Sequence, residues 1–270
     1  MRIWVTRTSP DNCVTAANLK ALGQEPVVAP VLAIRPLIVN PCEQRPTAII
    51  FTSSNGVRHH PKSPDCFDLP VFAVGDTTAN AASDLRYRNV WSANGDVTAL
   101  QRLILDTLPP GPMIHFSGKH AAGDLKGYLE PFGYQILRHQ VYEAQTVPLR
   151  WLLSVRQMLP TIDGIVVHSP RGAQRVARLL RGLDWMGQIW CISSACTRPF
   201  IGRHGIEVSY ARHPVEAAVM DLIVADQFRR QSVVRPLATS GARRRLPRPY
   251  HNDNVLEQVH SLGLDLQSEE

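Results

Sequence analysis

Short runs rich in Val and Ile recur along the chain, and most are followed by a longer Ala- and Leu-bearing segment of helical period. The runs RIWVT (2–6), PVVAPVL (26–32), AIIFT (48–52), VFAVG (71–75), NVWS (89–92), MIHFS (113–117), QILRHQVYEA (135–144), DGIVVHS (163–169), QIWCIS (188–193) and IEVSYA (206–211) predict strands. DNCVTAANLKALG, DVTALQRLILDTL, AAGDLKGYLEPFG, GAQRVARLLRGL and PVEAAVMDLIVADQF predict helices, the first capped by Asp11 and stopped by Gly23. Apolar strands alternating with helices are the pattern of parallel sheets covered on both faces.

The pattern also repeats. AIIFTSSNGV (48–57) resembles GIVVHSPRGA (164–173), setting Ser53 against Ser169 and Gly56 against Gly172. VFAVGDTTA then falls against IWCISSACT, and NVWSANGDVTAL against EVSYARHPVEAA. A weaker second unit pairs RIWVTR…LKALGQEPVVAPVL with MIHFSGK…YLEPFGYQILRHQVY. Two copies of each unit, in alternating order, predict two similar domains.

Composition narrows the function. With 44% hydrophobic and 19% charged residues, the 270-residue chain is globular and long enough for two packed cores. The net charge of +6 suits an anionic small-molecule substrate. It is too diffuse for a nucleic-acid groove, and no basic stripe is interleaved with aromatics. No apolar run is long enough to span a bilayer, and MRIWVTRTSP opens directly on a strand without a signal-peptide core, so a cytoplasmic protein is expected. The cysteines Cys13, Cys42, Cys66, Cys191 and Cys196 are odd in number and irregularly spaced, which reads as reduced thiols. His59-His60 with Cys66 lacks a second ligand pair, so no metal is expected. After about Phe228 the chain becomes rich in Arg, Pro and Ser, which predicts a disordered tail at 228–270 with a short helical piece near NVLEQVHSLGL.

No P-loop, dinucleotide-binding glycine motif, nucleophile elbow or zinc-protease motif is present. What remains is a set of hydroxyl-rich turns at strand ends: Thr52-Ser53-Ser54, Gly75-Asp76-Thr77-Thr78, Ser117-Gly118-Lys119, Ser169-Pro170-Arg171-Gly172 and Ser193-Ser194. Ligands of open α/β sheets bind at the carboxyl ends of the strands, where helix amides and hydroxyls favour anions. Any one of these turns is explained as well by a helix cap; their doubling argues for a shared cleft. Arg7, at the same edge, either pairs with a ligand carboxylate or is solvated. Tyr142 reads as a half-buried strand aromatic or as a proton donor.

Taken in order, VTR…LGQEPVVAPVLAIRP, AIIFTSSNGV, VFAVGDTTA, SGK, VYEA and VVHSPRGA resemble the uroporphyrinogen-III synthase family over about residues 1–226. The resemblance implies two similar three-layer α/β domains with parallel sheets of flavodoxin-like topology, joined by a two-stranded linker. One would combine residues 1–37 with 148–226, and the other would span 40–146. It further implies a monomeric cyclising lyase without cofactor. Its substrate would be hydroxymethylbilane, a linear tetrapyrrole with eight carboxylates, closed to uroporphyrinogen III with inversion of the D ring. Transient contact with the preceding enzyme of the pathway would fit this role. Matched to the family, Tyr142 would assist the leaving hydroxyl. Ser53, Thr78 and Ser169 would line the cleft; Arg7, Ser54, Ser117 and Lys119 are added as substrate-binding positions from the strand-end turns themselves. The sequence departs from the family pattern at CISSACTR, where Ser193 stands for a glycine and Cys196 for a hydroxyl residue; Ser194 or Thr197 would supply the missing donor. The alternatives are a non-catalytic, two-lobed small-molecule binding protein and an enzyme fold with a degraded site.

Overall fold

A computed structural model of the chain describes residues 1–39, 45–120 and 123–233, with side chains through Arg230. Among these residues the strands are β1 (Arg2–Val5), β2 (Glu25–Val28), β3 (Leu32–Pro36), β4 (Ala48–Phe51), β5 (Pro70–Ala73), β6 (Asn89–Ser92), β7 (Pro112–Gly118), β8 (Gln135–Thr146), β9 (Gly164–Val167), β10 (Gly187–Cys191) and β11 (Ile206–Tyr210). The helices are α1 (Asp11–Ala21), α2 (Ser54–His59), α3 (Asp76–Asp84), α4 (Val97–Thr107), α5 (Leu125–Leu129), α6 (Leu153–Met158), α7 (Pro170–Leu179) and α8 (Glu216–Val233).

Burial on both faces explains the strands. In β1, Ile3 and Val5 pack under Leu19 of α1 and Val219 and Ile223 of α8, while Trp4 faces the opposite way onto Val176 of α7 and Val155 of α6. β4 does the same: Ala48 and Ile50 face Leu100 and Ile104 of α4, and Ile49 and Phe51 face Val57 of α2 and Ala82 of α3. A strand with alternate residues in two different cores needs helices on both sides, which is why these runs are continuously apolar.

The first sheet has the order β11-β10-β9-β1-β2, all parallel. The second has the order β3-β8-β7-β4-β5-β6, parallel except for the β3–β8 pair. Apart from β3, the two share one spatial order. Read as β2-β1-β9-β10-β11 and β8-β7-β4-β5-β6, each is a 2-1-3-4-5 sheet, the second with its chain start displaced. The repeat units of the sequence thus occupy equivalent places. Both sheets lie in one compact unit spanning Met1–Arg230.

Several elements differ from the sequence expectation. The run 26–32 is two strands rather than one, because the chain passes there from the edge of the first sheet to the second. Ala29 donates to the carbonyl of Val5 in β1 and Val31 to that of Thr6 just past it, and the chain then leaves the first sheet. β3, within the 1–37 stretch, pairs antiparallel with the end of β8, from Leu32 against Thr146 to Pro36 against Tyr142. α2 and α3 carry too many polar or short side chains to show a helical period, and α6 is only six residues long between two 3-10 turns. α5 is a single short turn capped by Asp124; Ala121 and Ala122, which precede it in the predicted helix, lie outside the described residues. α8 runs past the expected end at Phe228 to Val233, into the start of the stretch 228–270 read as a disordered tail. Beyond it the predicted tail, with NVLEQVHSLGL, lies outside the described residues, as does Cys42.

Candidate active site

In a 2-1-3-4-5 sheet the crevice opens between strands 1 and 3 at their carboxyl ends. In the second sheet this point lies between β7 and β4, and the turns there are Ser117-Gly118-Lys119 and Thr52-Ser53-Ser54. Ser53 caps α2 by accepting the Gly56 amide at 3.1 Å, and its Oγ also lies 2.8 Å from Tyr142 Oη. Tyr142 reaches it from β8 because Gly118 stands in the way with no side chain: a Cβ there would sit 2.7 Å from the Tyr142 ring. The His59 ring stands beside that of Tyr142, tilted by 44° with 6.2 Å between centroids. Burial raises the Tyr142 pKa, with the Ser53 bond working against it, so the phenol stays protonated at neutral pH.

The turn is held from behind. Thr52 Oγ1 bonds to Nε2 of His115, a buried residue of β7. Burial, helped by the nearby Arg138 charge, pushes the His115 pKa down to about 4, so this imidazole is neutral. Arg138 of β8 donates to Ser117 Oγ at 2.8 Å and to the Gly118 carbonyl at 2.7 Å. Ser117 is therefore wholly buried, its hydroxyl engaged within the protein. Lys119 is exposed and pairs with Glu143 at 3.1 Å. Hydrogen bonds from Gln145 and Lys119 lower the Glu143 pKa.

The equivalent point of the first sheet lies between β1 and β9. Ser169 caps α7 as Ser53 caps α2, accepting the Gly172 amide at 3.0 Å with nearly the same backbone angles. Beside it, His168 Nε2 meets Glu216 Oε2 at 2.8 Å, and Arg7 Nη1 donates to the same oxygen at 2.9 Å. Burial would raise the Glu216 pKa, but His168, Thr15 and Arg7 outweigh it and leave the carboxyl lowered. Arg7 also reaches Asp11 at 3.4 Å, and Asp11 accepts a 2.5 Å bond from Arg58 of α2. Asp11 is not the expected cap: Pro10 holds the cap position of α1, and the carboxylate lies between two guanidiniums.

The other expected positions stand further along the sheet edges. Thr78 is buried in the first turn of α3, and Ser54 Oγ donates to the Thr77 carbonyl at 3.4 Å. In CISSACTR two short 3-10 turns replace a helix. Thr197 donates back to the Ser194 carbonyl at 2.8 Å, Ser193 Oγ lies 3.6 Å from Cys196 Sγ, and Ser194 is exposed. Cys196 is buried, which raises its pKa. His60 turns inward onto Tyr87 while His59 faces Tyr142, so the two do not converge. Among the described residues no group of three or more His, Cys, Asp or Glu is placed to hold a metal, and no helix is long and apolar enough to cross a membrane.

His168, Glu216 and Arg58 were missed by sequence reasoning. His168 had one signal, its match to Thr52 in the repeat. Arg58 and Glu216 had none, since their partners lie 47 and 48 or more residues away.

The chain is similar in structure to the uroporphyrinogen-III synthetase of Helicobacter pylori 26695, at 16% identity and a TM-score of 0.59, covering 83% of this chain and 99% of that one. It is also similar to a mutant uroporphyrinogen III synthase of the extremely thermophilic bacterium Thermus thermophilus, at 16% identity and a TM-score of 0.51, covering 84% and 99%. These likenesses establish the fold. A sequence comparison with curated proteins finds no match. The family model described as Uroporphyrinogen-III synthase HemD matches residues 14–220. The chain belongs to the uroporphyrinogen-III synthase family.

Proposed function

We propose that this protein converts hydroxymethylbilane to uroporphyrinogen III, as a cyclising hydro-lyase of haem and tetrapyrrole biosynthesis. The observation that carries the reading is the family match over most of the folded chain. The geometry adds a division of labour. The electron-rich pyrroles make and break the bonds, so the protein's task is to orient the chain ends and assist departure of one hydroxyl group. The C–O bond of the hydroxymethyl group breaks, leaving an azafulvene. The departing oxygen takes a proton from Tyr142 and leaves as water. The azafulvene carbon bonds to the substituted position of the D ring, giving a spiro intermediate. Fragmentation and re-closure at the other side of that ring invert it, and the proton lost on rearomatisation restores the phenol. Tyr142 suits the donor role because it is neutral, partly buried and held by Ser53.

Ser53 and Ser169 sit at equivalent turns of the two sheets, with Arg7 and Lys119 as partners for substrate carboxylates. Each sheet with its helices forms one lobe, linked by β3 and the end of β8, and the bilane lies between the facing turns. The protein acts as a cytoplasmic monomer without cofactor, receiving its labile substrate from the preceding enzyme. The test is incubation with hydroxymethylbilane generated in situ, followed by oxidation and chromatographic separation of isomers. Type III product is expected. Type I alone, formed at the rate of a protein-free control, would remove the assignment.

A further inference from the structure

A side-chain hydrogen bond joins helices that belong to different sheets: Arg58 of α2 to Asp11 of α1, at 2.5 Å. Its setting is unlike that of a surface ion pair. Asp11 is shared by Arg58 and Arg7, and Arg7 is shared in turn by Glu216, which also holds His168. The chain of charges runs from the turn after β9, across the turn after β1, to α2, the helix that Ser53 caps and His59 ends. Its middle is a carboxylate held between guanidiniums that belong to different sheets.

We propose that Arg58 is a substrate-binding residue, and that Asp11 occupies its guanidinium until a substrate carboxylate displaces it. This rests on the synthase reading, because that reading supplies a ligand bearing carboxylates. The Asp11 side chain and a substrate acetate or propionate offer Arg58 the same two oxygens, so exchange conserves the type of hydrogen bond. The pair is partly open to water, with side-chain exposures of 31% for Arg58 and 14% for Asp11. Arg58 is carried by α2, the helix capped by Ser53, and Ser53 Oγ bonds the Tyr142 hydroxyl, so a carboxylate bound to Arg58 would be held on the element that positions the proton donor. Asn55 Oδ1, 3.3 Å from Arg58 Nη1, holds the guanidinium on its helix during the exchange.

Competition and a simple latch between the sheets make opposite demands on two substitutions. If Asp11 competes with substrate, Asp11→Asn frees Arg58 and lowers KM by about threefold, while Arg58→Gln raises KM by about tenfold with kcat nearly unchanged. A latch would make the two variants shift KM in the same direction. Arg58→Lys, which keeps the charge but loses the fork, should fall between wild type and Arg58→Gln. Direct binding of uroporphyrin III, an octacarboxylate, is measured in parallel by its fluorescence, so that the result does not depend on turnover. Opposite shifts in Kd for Asp11→Asn and Arg58→Gln support the proposal; shifts of the same sign, or none in Arg58→Gln, overturn it. Formation of type I isomer alone by the wild type would discredit the synthase reading, while the binding measurement still decides the role of Arg58.

Discussion

At the scale of single residues, Tyr142 and His115 make opposite uses of burial. Burial holds Tyr142 in the protonated form, and Ser53 fixes its hydroxyl. Tyr142→Phe should lower kcat about tenfold without abolishing turnover, because a single proton donor contributes only part of a barrier that orientation also lowers. The type III fraction should remain high, which isomer analysis of the product reads directly. A variant as fast as wild type would take Tyr142 out of the mechanism. His115 is kept neutral, and its cost appears in acid. Its pKa of about 4 in the folded protein lies below the ordinary 6.5, so the unfolded chain takes up the proton first. The stability it contributes is complete above pH 6.5 and is lost as pH falls towards 4. The loss is about 2 kcal/mol by pH 5, because each pH unit between the two values costs about 1.4 kcal/mol. His115→Gln, which can still bond Thr52, should lose less stability than wild type between pH 7 and pH 5. Urea midpoints at the two pH values measure this, and equal losses would mean that His115 titrates freely.

At the scale of elements, the repeated Ser-x-x-Gly turns were legible in sequence because each is local. The serine caps the amide three residues on, and both copies do so at 3.0–3.1 Å. Their glycines are not equivalent, and this needed the fold. A Cβ on Gly56 would lie 2.6 Å from the Phe116 carbonyl oxygen of β7, a backbone atom with no freedom to move aside. At Gly172 the nearest atom would be Ser169 Oγ at 3.0 Å, the end of a side chain. Alanine gains up to about 1 kcal/mol over glycine within a helix. Gly172→Ala should therefore be near neutral, whereas Gly56→Ala should destabilise by more than about 2 kcal/mol, since overpacking outweighs propensity. Thermal melting compares them, and equal effects would refute the close approach of α2 to β7. The strands were legible for a related reason, since burial on both faces leaves runs such as AIIF with no polar position. Asp11 was read as a cap because capping is local, while its true partner Arg58 comes from another sheet. The division of 26–32 was hidden because only the paths of β1 and β8 show that the chain must change sheets there.

At the scale of the whole molecule, the remaining question is where the folded enzyme ends. α8 closes one face of the first sheet: Val219 and Ile223 are fully buried, Met220 nearly so, and Asp226 accepts the Trp190 indole N–H at 2.5 Å. Gln227 accepts a 2.8 Å bond from Gln24, and the next residue, Phe228, is 64% exposed. The buried positions of the helix thus extend to Asp226, four residues before the end of the compact unit at Arg230. Beyond Val233, 12 of 37 residues are apolar, a smaller share than the 44% of the whole chain, and Arg and Pro are concentrated before Tyr250. A chain ending at Val233 should keep its melting temperature and retain kcat/KM within about twofold, as the neutral outcome expected when no site residue is removed. A chain ending at Asp221 should fail to fold. It loses the buried Ile223, worth about 2–5 kcal/mol, and strands the Trp190 N–H at a further cost of about 1–3 kcal/mol. Together these approach the whole stability of an ordinary domain, about 5–15 kcal/mol. The informative failure is a 1–233 protein that melts like wild type yet yields mostly type I isomer. That would mean residues past Val233 help to hold the bilane, and the turns at Ser53 and Ser169 would then be an incomplete site.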